Sequence, residues 1–333
     1  MTPHQDFLIT EATQVGAARR AAGRLGTDLG CDEVACGRIA LVVTELGNNL
    51  ARHATAGRLL LAPGPGDGID VLALDGGPGM ADVERCLTDG YSTSGTPGTG
   101  LGAARRLCDE FSMYSQVGRG TVIFGRIRAV AMPGTPSRKP DRFDVGAVCL
   151  AAPGEAVSGD AWQFHSEGPR ASLMVADGLG HGPQAADAAS AALRIFAAQH
   201  GLGPSQVLGL AHDAMRSTRG AAVAVAALEA DAGRLIFSGA GNIAGRLISG
   251  VEDRSLLSQH GTVGLQIRRL QDVAYPWGDH AIVILHSDGL KTRWSLRDVG
   301  GLLACHPAVI AGWLVRDHMR GQDDATVVVI KRR

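Results

Sequence analysis

Five aspartates at four places in the second half of the chain offer the densest chemistry: Asp160 in "SGDAW", Asp177 in "MVADGLGHG", Asp288 in "LHSDGL", and Asp323–Asp324 in "QDDATVVV". Three of these places lie where an apolar run ends or begins, a position where an aspartate ordinarily caps a turn. Their recurrence within one domain, with His181 beside the second, points beyond turns. Carboxylate oxygens without cysteine or paired histidine ligands suit hard ions, Mg²⁺ or Mn²⁺. Two such ions can activate one water and aim it at phosphorus. Carboxylates buried together without cations would instead hold protons, because like charges repel. The chemistry indicated is metal-assisted hydrolysis of a phosphate ester.

The first half carries a different set. Glu45 and Asn49 stand four residues apart in "EVACGRIALVVTELGNNLARHA", residues 33–54, whose apolar spacing predicts a helix. They therefore share one face, either for a ligand or metal or as a carboxylate–amide pair tying the helix to a loop. Arg52 and His53 follow, the first a candidate surface charge and the second structural. In "VLALDGGPGM" a strand runs into Asp75 and three glycines. Such a carboxylate can accept an amino group's protons while the glycines let a flat ring approach, or the stretch is an ordinary Asp-Gly turn. Then comes "STSGTPGTGLGAA", residues 92–104, with glycines but no lysine. It lacks the Gly-Lys-Ser/Thr of a Walker loop, and it follows no strand as a Rossmann fingerprint should.

The elements that must position these residues fall into two groups around "AMPGTPSRKPDRF", a proline-rich break. We expect a domain over residues 1–130, a linker over 131–142 and a second domain over 143–333. The first half predicts, besides its helix, strands at "RLLLA", "IDVLALD", "EFSMYSQV" and "TVIFGRI", an α+β layer with helices on one face. The second half predicts eight strands, from "DVGAVCLAA" to "ATVVVIK", with helices near 184–199, 204–218 and 306–319: packed sheets covered by helices. A net charge of −1 with 20% charged residues gives no reason to expect nucleic acid or an anionic membrane as partner. No apolar run approaches a membrane span, the N-terminus does not read as a secretion signal, and the six scattered cysteines form no C-x-x-C pair. The expected location is the cytoplasm.

In this order, "TELGNN", "DGGPGM", "GTGLG" and "GRGT" resemble the ATP-binding fold shared by histidine kinases, gyrase-type ATPases and anti-sigma-factor serine kinases, and most of all the RsbT-type switch kinases of bacterial stress signalling. The resemblance, over about residues 8–129, implies a GHKL (Bergerat-type) ATP-binding α/β sandwich. It implies that Asn49 holds the Mg²⁺ of bound ATP and that Glu45 is the general base for an attacking serine. It assigns Asp75, Gly79 and Thr121 to the adenine pocket, Gly98, Gly100 and Gly102 to the phosphates, and the segment 90–99 to a mobile lid.

The aspartate motifs, with "SGAGNIAGRLI" and "GTVGL" between them, resemble PP2C-type serine/threonine phosphatases in their bacterial SpoIIE/RsbX branch, over about residues 142–331. That resemblance implies a PP2C-like αββα sandwich holding two Mn²⁺ or Mg²⁺ ions. Asp160, Asp177 and the Gly178 carbonyl would serve one side, Asp288 and Asp323 the other, with Asp324 a neighbour. "SGDAWQF" lacks the aromatic pair that larger relatives carry after the Gly-Asp. Together the two resemblances imply a phosphatase fused to a serine kinase, acting on STAS-domain antagonist or scaffold proteins (RsbS-like) in stress or sigma-factor regulation. The alternative is an ATP-gated phosphatase or partner-switching module whose first domain binds ATP or a partner without phosphotransfer. A pseudophosphatase scaffold is disfavoured by the filled carboxylate positions.

Overall fold

The stretch from Leu59 to Ala62 is apolar at every position instead of alternating, the pattern of a strand covered on both faces. A computed structural model, describing residues 3–64, 68–88, 100–129, 142–250 and 252–333, shows both covers. Strands β1 (Gln5–Ile9), β2 (Gly57–Gly64), β3 (Gly68–Asp75), β4 (Glu110–Gln116) and β5 (Gly120–Arg128) form one antiparallel sheet in the order β1-β2-β3-β5-β4. Helices α1 (Ala12–Asp28), α2 (Glu33–His53), the short α3 (Val83–Cys86) and α4 (Gly100–Leu107) accompany it. Val15, Ala18, Ala22, Ile39, Val42, Leu46 and Leu50 of the first two helices pack on Leu59, Leu61, Val71, Ala73 and Ile123 of the sheet. Asp32 caps α2 by accepting from the Ala35 N–H at 2.7 Å, while Arg52 and His53 close its last turn where cations suit the dipole. Arg126 fixes the sheet's register from within: it donates to Asp70 on β3 at 2.6 and 2.8 Å and to Glu110 on β4 at 2.9 Å.

The second half forms two five-stranded antiparallel sheets. Strands β6 (Phe143–Leu150), β7 (Asp160–Glu167), β8 (Arg170–Gly178), β9 (Ala221–Glu229), β10 (Arg234–Ala240), β11 (Ala244–Ser249) and β12 (Glu252–Leu256) follow in sequence. The two-residue β13 (Gly261–Thr262) and β14 (Gln266–Ile267) pair with each other, and β15 (Val273–Pro276), β16 (Ile282–His286) and β17 (Ala325–Arg332) complete the set. The sheets run β15-β10-β9-β8-β7 and β12-β11-β16-β17-β6. Between them Trp162, Leu173, Val175, Leu228, Phe237, Leu247, Val283, Leu285 and Val328 make the core. Alternate residues of β8 and β9, Met174, Ala176, Val223 and Val225, face helices α5 (Pro183–Gln199) and α6 (Pro204–Ala214) through Ala188, Ala192, Phe196 and Leu208. Small residues on both faces of β9 let sheet and helices close together, which explains the run "AAVAVAAL".

The last helix, α7 (Pro307–His318), is buried at every position from Pro307 to Val315, the signature of a helix apolar all round. Two compact units result: Arg138–Asp298 with Asp317–Arg333, and Thr2–Ser137 with Val299–Arg316. The first-half sheet thus gains its second cover from residues that come late in the chain. A β-carbon on Gly312 would lie 2.9 Å from Leu74 and 3.0 Å from Val122, the Phe124 ring stacks on His306 at 4.2 Å, and Tyr114 meets Trp313 edge-on at 4.9 Å. Among the described residues no helix is long and apolar enough to cross a membrane.

Candidate metal centre and nucleotide site

The antiparallel register of β7 and β8 sets Asp160 directly opposite Asp177, the first residue of one strand against the penultimate residue of the other. From the second sheet, β16 runs into Ser287–Asp288 and β17 starts just after Asp323–Asp324. Ser287 joins the two sheets: its hydroxyl donates to Asp160 Oδ2 at 2.6 Å and accepts from the Thr326 N–H at 3.0 Å. Asn242 donates to Asp288 Oδ2 at 2.6 Å. Asp324 accepts from the Ala152 N–H at 2.8 Å, and Asp323 accepts from the Asp324 N–H at 2.9 Å. Asp160 and Asp324 are buried, Asp177 and Asp288 half-buried, and Asp323 exposed. A glycine must follow Asp177 because a β-carbon on Gly178 would come within 2.1 Å of the Ala185 carbonyl oxygen.

The electrostatics of this cluster ask for cations. Burial pushes the Asp177 carboxyl up to about 9, helped by the negative charges of Asp160, Asp288, Asp323 and Asp324. Burial likewise raises Asp160 to about 7, with Ser287 opposing the shift and Asp324 and Asp288 adding to it. Asp324 is raised too, chiefly by burial. One oxygen each of Asp160 and Asp324 is buried with no hydrogen-bond partner among the described residues, a costly arrangement unless something binds there. A divalent cation satisfies the oxygens and relieves the repulsion together. Among the described residues no three Asp, Glu, His or Cys side chains converge closely enough to make a complete cage. A small hard ion keeps several waters and takes one or two carboxylates, and the Gly178 carbonyl follows Asp177 in the chain. His181 does not join the aspartates: its Nδ1 lies 2.7 Å from Glu155 Oε1. Ser287 and Asn242, in "LHSDGL" and "SGAGNIAGRLI", carry no pattern in the sequence that marks them as partners of the aspartates.

In the other unit Glu45 and Asn49 are half-buried on one face of α2, as their spacing predicts. Among the described residues the Asn49 side-chain nitrogen is buried without a partner, so it has a hydrogen bond to give. Gly100, which opens α4, brings that helix against the pair: a β-carbon there would lie 2.7 Å from Glu45 Oε2 and 3.8 Å from Asn49 Oδ1. Gly102 is buried within α4, whose N-terminal N–H groups suit an anion. Asp75, at the end of β3, accepts from the Thr55 and Gly77 N–H groups at 3.0 and 2.6 Å. Its register partner Thr121 is buried, with its hydroxyl 2.8 Å from Ser115 Oγ, which accepts from the Met80 N–H at 2.8 Å. Gly79, at φ +69°, leaves no room for a side chain, since a β-carbon would meet the Gln116 carbonyl oxygen at 2.1 Å. Asp75, Gly79 and Thr121 thus frame one end of the sheet. Gly98 and the expected lid, 90–99, fall outside the described residues, as does all but Arg142 of the expected linker.

Two packed antiparallel sheets with aspartates gathered from both define a PP2C-type phosphatase domain, and the helix-backed sheet with its α2 pair and Asp-Gly turn defines a histidine kinase-like ATPase domain. Known proteins agree with both. The family described as Stage II sporulation protein E (SpoIIE) matches residues 167–333, and the histidine kinase-like ATPase domain matches residues 8–125. The serine/threonine-protein kinase RsbT of Bacillus subtilis (strain 168) is 37% identical over 110 residues, 32% of this chain and 83% of that protein. A solved structure from the bacterial stressosome, a modular system adapted to control secondary messenger signalling, is 26% identical at a TM-score of 0.53, over 57% of this chain and 100% of its own. The PP2C phosphatase domain of SpoIIE from Bacillus subtilis, with a fragment of its regulatory domain, shares the fold at 19% identity and a TM-score of 0.50, over 81% of this chain and 80% of that one. The chain belongs to the SpoIIE family, with an RsbT-related ATPase domain ahead of the phosphatase domain; it is a protein serine/threonine phosphatase of the PP2C type.

Proposed function

We propose that the chain removes phosphate from serine or threonine of a small STAS-domain antagonist or scaffold protein in bacterial stress or sigma-factor signalling, and that its first domain phosphorylates such a protein from ATP. The observation that carries the phosphatase half is the aspartate cluster, with its partnerless buried oxygens and raised carboxyl pKa values. Asp160, Asp177 and the Gly178 carbonyl would hold one Mn²⁺ or Mg²⁺ ion, and Asp288 and Asp323 would hold a second, with Asp324 as a buried neighbour. When bound, two such ions lower the pKa of a water and neutralise charge on the phosphoryl oxygens. The protein's own part is to keep the ligands in place. Ser287 holds one oxygen of Asp160, Asn242 holds one of Asp288, and the Ala152 N–H holds one of Asp324.

In the first domain Asn49 would hold the Mg²⁺ of bound ATP, Asp75, Gly79 and Thr121 would take the adenine, and the N–H groups at the start of α4, by Gly100 and Gly102, would take phosphate oxygens. Glu45 accepts the proton of the attacking serine hydroxyl. The proposed location is the cytoplasm. One observation favours the second reading, a nucleotide-gated phosphatase without phosphotransfer. Val299–Arg316 belong to the nucleotide-binding unit, Arg316 donates to the Asp75 carbonyl oxygen at 2.9 Å, and the same chain segment continues into Asp323. Full-length chain, a STAS-domain protein and γ-labelled ATP separate the two readings. Label on the STAS protein, released again on adding Mn²⁺, is the expected result; tight ATP binding with no transferred label would leave only the gated phosphatase.

A further inference from the structure

Beside the metal loop stands a cation that nothing above employs. β8 and β9 pair through Gly178 and Ala221, and the Leu179 N–H donates to the Gly220 carbonyl at 3.0 Å. The chain just before β9 is therefore tied to the loop that follows Asp177. A Thr218 turn fixes it further: the Thr218 hydroxyl donates to the Met215 carbonyl at 2.7 Å and accepts from the Gly220 N–H at 3.0 Å. Arg219 lies inside this clamp. Its guanidinium passes over the loop, with Nη1 3.2 Å from where a β-carbon on Gly180 would stand. Gly180, at φ +86°, keeps the space beneath that guanidinium clear.

Arg219 is exposed, and among the described residues its guanidinium makes no hydrogen bond or ion pair. Its neighbour Arg216, three residues earlier, is paired with Asp213 at 3.0 Å. An arginine on a tethered backbone, lying over the loop that follows Asp177 and bonded to no carboxylate among the described residues, is placed for a group that arrives from solution. A phosphate monoester brings about two negative charges and three strongly accepting oxygens. The planar guanidinium fork matches two oxygens of a phosphate at once.

We propose that Arg219 is a substrate-binding residue that grips the phosphoryl group of the phosphoserine or phosphothreonine as it enters the aspartate centre. This rests on the phosphatase reading above. The test uses the full chain loaded with Mn²⁺ and a phosphoserine peptide, comparing wild type with Arg219→Ala, Arg219→Lys and, as a control, Arg216→Ala. KM for the peptide and the inhibition constant of inorganic phosphate should both rise about tenfold or more in Arg219→Ala, the size expected for losing a charge-assisted pair of hydrogen bonds. Arg219→Lys should recover part of the loss, and Arg216→Ala should match wild type. Calorimetric Mn²⁺ affinity and melting temperature should be unchanged in all three. Unchanged KM and phosphate inhibition in Arg219→Ala would overturn the proposal, as would a loss of Mn²⁺ binding or stability, which would mark a structural role. If the wild type fails to hydrolyse the peptide, the phosphatase reading fails instead. Direct calorimetry of inorganic phosphate then still decides for Arg219: weaker binding in Arg219→Ala supports it, and equal binding overturns it.

Discussion

The aspartate cluster around Asp177 and the Glu45–Asn49 pair on α2, both proposed to serve phosphate chemistry, manage charge in opposite ways. The first gathers five carboxylates from two sheets, so strongly that burial and mutual repulsion raise Asp177 to about 9 and Asp160 to about 7. The second spends one carboxylate and one neutral amide, whose buried nitrogen has no partner among the described residues. Under the proposed function, a site that hydrolyses a phosphoprotein supplies its own cations, and an excess of negative charge would retain them. A nucleotide reaches its site together with Mg²⁺, so that site needs mainly donors and shape. The contrast teaches that metal dependence should be intrinsic in one domain and imported with the ligand in the other.

The most drastic way to break that contrast is Asp177→Asn. Mn²⁺-dependent phosphoserine hydrolysis should fall about a thousandfold, the scale of losing metal-borne charge stabilisation, while ATP binding stays at the wild-type level. The reciprocal change, Asn49→Ala, should weaken Mg-ATP binding about tenfold or more by equilibrium titration and leave the phosphatase rate alone. Ser287→Ala probes support rather than ligation. It removes the hydroxyl shared by Asp160 and the Thr326 N–H, so Mn²⁺ affinity should drop about tenfold with the fold retained.

The smallest effect is on pH dependence of stability. The folded-state pKa values of Asp177 and Asp160 are raised above those of an unfolded chain. Between the unfolded value near 4 and the folded values, the native state holds more protons than the unfolded one, so stability falls as pH rises. In EDTA the melting temperature should decline by a few degrees from pH 5 to pH 9. Mn²⁺, which needs the deprotonated carboxylates, should raise it more at pH 8.5 than at pH 6. A melting temperature in EDTA that does not fall over this range would contradict the electrostatic picture.

The sequence exposes the groups that face a ligand better than it exposes what holds them. Three of the four aspartate places stand where apolar runs end or begin, and the strands predicted beside them form. Glu45 and Asn49 fall on one helix face because four residues make roughly one turn. Ser287 and Asn242 were not legible, since a serine or asparagine near a strand end ordinarily serves a turn and only the packed sheets show which carboxylate it meets. Helix α1 escaped notice because much of its buried face is alanine, at positions 18, 21 and 22, and alanine marks a periodic face weakly. The place of α7 could not be read at all. Its all-round apolar character announces burial but not the sheet against which it is buried, and it completes the unit that begins almost three hundred residues earlier.

The central claim, that the five aspartates form a centre for divalent cations within the chain itself, is tested most directly by calorimetric titration of Mn²⁺ into the full-length protein without nucleotide. The account predicts two ions bound per chain, with binding lost or reduced to one ion in Asp177→Asn and unchanged in Asn49→Ala. No Mn²⁺ binding in the absence of ATP, or binding that Asp177→Asn leaves intact, would contradict it.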